Sequence, residues 1–186
     1  MSLDSPDKLP QLLMRREHLR DLPRAATPYG FELRRATPED EESLARLLLS
    51  VFGGTWAADT VRRTLTRSPD VDSVYVVVRG DEAVATASAR LDPQAFPGEG
   101  YVHWVGVSAE YRKRRLGLAV CVRVLERFAE LGCEGAVLET DDYRLDAVRI
   151  YLGMGFRPAH RHSHDAERWD EVMRHIGRGE EHRKIG

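Results

Sequence analysis

Residues 107–119 read Val107-Ser108-Ala109-Glu110-Tyr111-Arg112-Lys113-Arg114-Arg115-Leu116-Gly117-Leu118-Ala119. Upstream, Tyr101–Val107 is β-patterned. Downstream, Leu116, Val120, Val124 and Phe128 recur at four-residue steps and predict a helix over about Leu116–Leu131. Four consecutive cations therefore stand where a strand hands over to a helix N-terminus. The first N–H groups of a helix have no intrahelical partner, and the helix dipole places partial positive charge there. Such a place holds phosphate, so the sequence points to a ligand bearing a pyrophosphate.

The pattern extends in both directions. After the helix, with Gly132 as its C′ residue, Ala136–Thr140 reads as a buried strand. Arg144–Met154 reads as a helix capped by Gly155, Phe156–His164 as extended chain and Ala166–Ile176 as a terminal helix. Before the loop, Phe31–Arg35 alternates like a short strand. Thr37-Pro38-Glu39-Asp40 starts a helix, with Thr as N-cap, Pro at the first position and acids in the first turn. Leu44, Leu47, Leu48 and Val51 give that helix its apolar face, and Gly53-Gly54 ends it. A second helix is expected over Ala57–Thr66. Val74–Val78 and Ala83–Leu91 form a hairpin around Arg79-Gly80-Asp81-Glu82, followed by the Pro93–Gly100 loop.

Residues 1–30 form a lead segment punctuated by Pro6, Pro10, Pro23 and Pro28, with Lys8–Arg20 expected as a short charged helix. Residues 31–177 form one domain, and 178–186 are a charged C-terminal tail. The order β-α-α-β-β-β-α-β-α-β-α describes an α/β (α+β) fold with a mixed sheet and a strand–helix–strand–helix–strand unit in its second half.

Composition narrows the function classes. The 186 residues are 42% hydrophobic and 31% charged, with a formal net charge of −2. That balance provides no field to attract nucleic acid or an anionic membrane, so the local cations at 112–115 suit a small anionic ligand. Cys121 and Cys133 make neither a disulfide framework nor a metal spacing. No apolar run approaches membrane-helix length, and no apolar segment of the secretory kind opens the chain. A cytoplasmic protein is expected.

Two motifs, Val107…Tyr111-Arg112…Leu116-Gly117…Ala119 and Ala147…Tyr151…Gly155-Phe156, together with Leu138-Glu139-Thr140-Asp141 between them, resemble the GNAT family of acyl-CoA-dependent N-acetyltransferases. The resemblance covers roughly residues 31–165. It implies a mostly antiparallel central sheet flanked by helices, acetyl-CoA as acyl donor, and a small-molecule or peptide amine as acceptor. It also implies that Arg112, Lys113, Arg114, Arg115, Leu116, Gly117, Leu118 and Ala119 hold the pyrophosphate. Val105, Gly106 and Val107 would offer backbone groups to the pantetheine and acetyl oxygen from a splayed strand, and Gly106 between the valines is consistent with a bulge, a close ligand approach or relief of packing. The chain departs from the family pattern at Arg115, where the first loop glycine falls, and at Arg144, where many members carry Asn. Glycine serves such loops through unusual φ and close approach; an arginine would instead lay its guanidinium on phosphate.

The chemistry asks for a base, because an ammonium with pKa ~10.4 must lose a proton before it attacks. Five of the seven histidines lie beyond residue 159 and His18 is in the lead segment, which leaves His103 within the core pattern. Strand alternation groups it with 101, 105 and 107 on one face. Arylalkylamine N-acetyltransferases are similar in having a His four residues before the position of Val107. Glu99 is the alternative base. Tyr151 is the candidate acid for the departing thiolate, with small Ala147 one turn earlier leaving room for the pantetheine. The same resemblance makes Phe52, Trp56, Glu99 and Tyr101 candidates for the acceptor pocket.

His160, His162 and His164 alternate and suggest a metal, but no further ligand sits at a telling spacing, and a solvated strand edge is preferred. Trp104 and Trp169 read as packing residues. The expected function is direct acetyl transfer by an N-acetyltransferase without a metal; the alternative is a CoA-binding sensor or scaffold without turnover. A homodimer is compatible with either.

Overall fold

The computed structural model describes residues 9–184. Its elements are β1 (Leu12–Arg16), β2 (Glu32–Arg35), α1 (Glu41–Phe52), α2 (Ala58–Val61), β3 (Val71–Arg79), β4 (Glu82–Leu91), β5 (Glu99–Val107), α3 (Leu116–Glu130), β6 (Gly135–Thr140), α4 (Leu145–Gly153), β7 (Arg157–Ala159) and α5 (Asp165–Lys184). The described residues divide into two compact units, Arg16–Leu138 and, together, residues 9–15 and 139–184.

In the larger unit the sheet order is β2-β3-β4-β5-β6. Neighbours are antiparallel except β5 and β6, which run parallel. Helices cover both faces. Val74, Val76 and Val78 of β3 join Leu44, Leu47 and Leu48 of α1 in one core, while Tyr75 turns to the other face, where the Arg123 guanidinium of α3 lies 4.9 Å from its ring. The α1 entry follows its sequence signal. The Asp40 carboxylate reaches back to the Thr37 N–H at 2.7 Å, and Arg34 grips that carboxylate at 2.6 and 2.8 Å. Gly53 ends the helix at φ 68°. The segment expected as one helix over Ala57–Thr66 is α2 followed by a π-turn at Arg62–Thr66.

In the smaller unit, β1 pairs antiparallel with β7, with Met14 opposite Pro158. This overturns the helix expected over Lys8–Arg20, of which Lys8 lies outside the described residues. Leu12, Leu13 and Met14 are consecutive and all buried, and a run buried on both faces carries neither a helical nor an alternating period. The extended stretch expected over Phe156–His164 shortens to β7. The Asp165 carboxylate accepts the N–H groups of Arg161 (2.8 Å) and His162 (3.0 Å) and folds that stretch into the turn that opens α5. That helix continues past Ile176 to Lys184, into the residues expected as a tail; 185 and 186 lie outside the described residues. Among the described residues, no helix is long and apolar enough to cross a membrane.

Candidate active site

The phosphate-loop candidates sit between β5 and α3. After Val107 comes a single 3-10 turn, Ala109–Tyr111, and then Arg112 in extended backbone. Lys113 and Arg115 both adopt left-handed backbone, each with φ 61°. Arg115 is the N-cap of α3, and the helical ladder begins with Ala119 N–H donating to Arg115 C=O at 3.0 Å. The N–H groups of Leu116, Gly117 and Leu118 therefore precede the ladder. Left-handed residues within a turn arrange successive N–H groups into an anion-binding concavity. The departure at Arg115 is thus one of side chain only: the backbone keeps the conformation that glycine favours. All four cations of the run are exposed, while Leu116 and Ala119 are buried and anchor the helix.

Packing fixes the loop. A Cβ on Gly117 would lie 3.2 Å from Val107 Cγ2, so the missing side chain lets α3 close on the end of β5. The Tyr111 ring meets Phe31 edge-on at 5.7 Å, and the guanidiniums of Arg79 (5.7 Å) and Arg114 (6.0 Å) lie against it. Arg79 and Phe31 are loop supports that no sequence motif marked.

β5 carries the second feature. Thr86 pairs with Gly106, but Ser88 pairs with His103, so one β4 residue, Ala87, faces two on β5. This is a β-bulge at Trp104–Val105, and Trp104 has φ 49°. Residues six apart in an unbroken strand share a face. Here a Cβ on Gly100 would overlap the Phe128 ring of α3, whereas one on Gly106 would stand 3.3 Å from Phe52 and 3.5 Å from Val51 of α1. The bulge reverses the alternation. The expected grouping of 101, 103, 105 and 107 on one face is therefore corrected: Tyr101 and His103 face α1 with Trp104, while Val107 faces α3. The ladder to β6 runs from Glu99 to Val102 and ends there among the described residues, so His103–Val107 extends beyond it.

The α1 face of β5 holds a continuous row of rings. Phe96 meets Tyr101 at 5.4 Å, Tyr101 meets His103 at 5.0 Å, and His103 meets Trp104 at 5.1 Å. Trp104 then meets Trp56 at 4.8 Å and Phe52 at 5.0 Å, both nearly perpendicular. Thus His103, Tyr101, Trp56 and Phe52 are brought together from two stretches of chain. Trp104, read from sequence as packing alone, joins them; strand alternation placed it on the opposite face. Glu99 begins β5, half-buried and opposite Gly135.

Tyr151 and Ala147 belong to the smaller unit, one turn apart on α4. Tyr151 is buried, with its ring 6.2 Å from Phe156. Arg144, where the family pattern has Asn, precedes α4 and pairs with Asp141 at 3.3 Å. His162 and His164 stack in parallel at 5.4 Å in the turn before α5, not along a strand. Among the described residues, no group of three His, Cys, Asp or Glu side chains is gathered for a metal. Burial pushes the Cys121 thiol up to about 12 and the Cys133 thiol up as well, so neither supplies a thiolate at neutral pH.

Similarity to known proteins agrees with this geometry. The chain is 29% identical over 171 residues to the mycothiol acetyltransferase of Mycobacterium marinum, covering 78% of this chain and 53% of that protein. It is 23% identical over 114 residues to human N-alpha-acetyltransferase 30, covering 61% of this chain and 31% of that one. The chain spans about half the length of the mycothiol acetyltransferases it matches. Its fold is shared with a GCN5-related N-acetyltransferase from Sphaerobacter thermophilus, at TM-score 0.64 and 20% identity over 82% of this chain and 50% of that one. The acetyltransferase (GNAT) family model matches residues 41–156. With that match over more than half of its length, the chain belongs to the GNAT acetyltransferase family.

Proposed function

We propose that the protein is an N-acetyltransferase that takes its acyl group from acetyl-CoA and passes it directly to a primary amine. The observation that carries this reading is the loop before α3, left-handed at Lys113 and Arg115 and followed by helical N–H groups ahead of the ladder. Those N–H groups and the cations Arg112–Arg115 suit the pyrophosphate of the donor. The donor supplies an activated acetyl carbonyl. Backbone groups of Val105, Gly106 and Val107, past the end of the β6 ladder, suit the pantetheine amides and the acetyl oxygen.

In this reading His103 takes the proton from the acceptor ammonium, with Glu99 as the alternative base, and Tyr151 returns a proton to the departing thiolate. Direct transfer is supported by the two cysteines, whose raised pKa values disfavour an acyl-enzyme. The cytoplasm is the proposed compartment. Release of free CoA thiol from acetyl-CoA, measured against a panel of primary amines, tests the function. Amine-dependent release is expected. Binding of acetyl-CoA with no release above the hydrolysis background would favour the sensor or scaffold reading instead.

A further inference from the structure

We infer that the acceptor is an amine carried close to an aromatic or branched apolar group, and that Trp104, Trp56 and Phe52 select it. This rests on the acetyltransferase reading, with His103 on the acceptor side. Three observations converge. First, the row of rings passes through His103 and continues by way of Trp104 to Trp56 and Phe52. All four of these residues are only half-buried, so the row presents ring surface as well as packing on the core.

Second, Trp104 reaches this face only through backbone that bulky residues rarely adopt, φ 49° within a bulge. A regular strand would send two adjacent rings to opposite faces; here His103 and Trp104 stand on the same one. Strain of this kind persists where the surroundings hold it and gathers at binding sites. Third, the segments that supply the rings, residues 51–57 and 100–107, contain no Asp or Glu. Glu99, which borders them at the start of β5, is one counter-charge against the several of a polycationic acceptor, whereas aryl and branched alkyl groups find ring faces and edges.

Two sources share this chemistry: a free arylalkylamine, and a peptide whose N-terminal residue is aromatic or branched. The test compares 2-phenylethylamine, putrescine and glucosamine, and peptides beginning with Phe or Ser. The readouts are thiol release and the tryptophan fluorescence of CoA-loaded protein as each amine is added. 2-Phenylethylamine or the Phe peptide is expected to have the highest kcat/KM and to perturb the fluorescence; whichever of the two wins identifies the source. Trp56→Ala is expected to lower kcat/KM for the preferred amine about tenfold, mainly through KM, while acetyl-CoA affinity stays unchanged. Phe52→Leu should act in the same direction, and it guards against misfolding of the first variant. Preference for putrescine or glucosamine, equal losses for all amines in both variants, or no amine binding to CoA-loaded protein would overturn the inference and leave donor binding intact. Failure of acetyl-CoA itself to bind ends the acetyltransferase reading and this one with it, and is seen before any amine is added.

Discussion

Arg115 concentrates the residue-scale question. Its left-handed backbone is one that L-residues enter at a cost of about 1 kcal/mol. Glycine would remove that strain, at a loss of about 0.5–1 kcal/mol in chain entropy. Arg115→Gly should therefore leave the thermal midpoint nearly unchanged and keep the backbone concavity. It should weaken acetyl-CoA binding several-fold, because one guanidinium is lost. Calorimetric titration and thermal unfolding of the variant check both parts. Undiminished affinity would mean that the backbone alone grips the donor. At the proposed base, His103→Gln should lower turnover and flatten the acidic limb of the kcat/KM profile, since an imidazole accepts a proton only when neutral. If that limb persists, Glu99 becomes the base. Tyr151→Phe should lower kcat with little change in acetyl-CoA affinity, and an unaltered kcat removes the tyrosine from proton return.

At the scale of elements, the approach of α3 to the sheet depends on two positions without side chains. Gly100 lies under the Phe128 ring and Gly117 against Val107. Gly100→Ala should destabilise by about 1–3 kcal/mol through overpacking, read as a lower urea midpoint at unchanged slope. Adding Phe128→Leu should restore part of the loss; a double variant no more stable than the sum of the single losses contradicts the contact. Local chemistry made several boundaries legible in the sequence. Thr37-Pro38 announced α1, Gly53 and Gly132 ended helices with positive φ, and Gly80 turned the hairpin. β1 was not legible, and the β5 bulge was marked only by Gly106, because pairing between distant segments decides both. Leu12-Leu13-Met14 has no period to read, and Gly106, which is consistent with a bulge, does not by itself place the extra residue at Trp104–Val105. The loop cations were visible as charge, whereas the left-handed turns that shape their backbone were not. Of the ring row, Phe52, Trp56, Tyr101 and His103 were legible as candidates, and Trp104 escaped because the bulge turns it to their face.

Across the whole molecule, guanidinium–carboxylate pairs tie elements within each unit. Arg127 of α3 forks Asp72 of β3 at 2.8 Å through both Nε and Nη2. Arg168 of α5 pairs with Asp142 through Nε at 3.0 Å. The guanidinium hydrogen bonds hold Asp40, Asp72 and Asp142 below the usual carboxylate range, against the opposing effect of burial. A carboxylate whose folded pKa is depressed contributes stability that is complete above its unfolded pKa and disappears as pH falls through the folded one. Stability should therefore hold level above about pH 5 and decline below about pH 4. Asp72→Asn should be less stable at neutral pH and show a shallower acid decline, as checked by urea unfolding at several pH values. An unchanged acid decline in that variant would remove the Arg127 pair from the account.

The proposed acetyl transfer depends on the loop before α3 gripping the diphosphate of an acyl-CoA. Calorimetric titration of acetyl-CoA into the full chain at low and raised salt measures it directly. Saturable binding at one site, weakening as salt screens Arg112–Arg115, is the predicted result. No heat at either salt concentration, with acetyl-CoA or with free CoA, would contradict it.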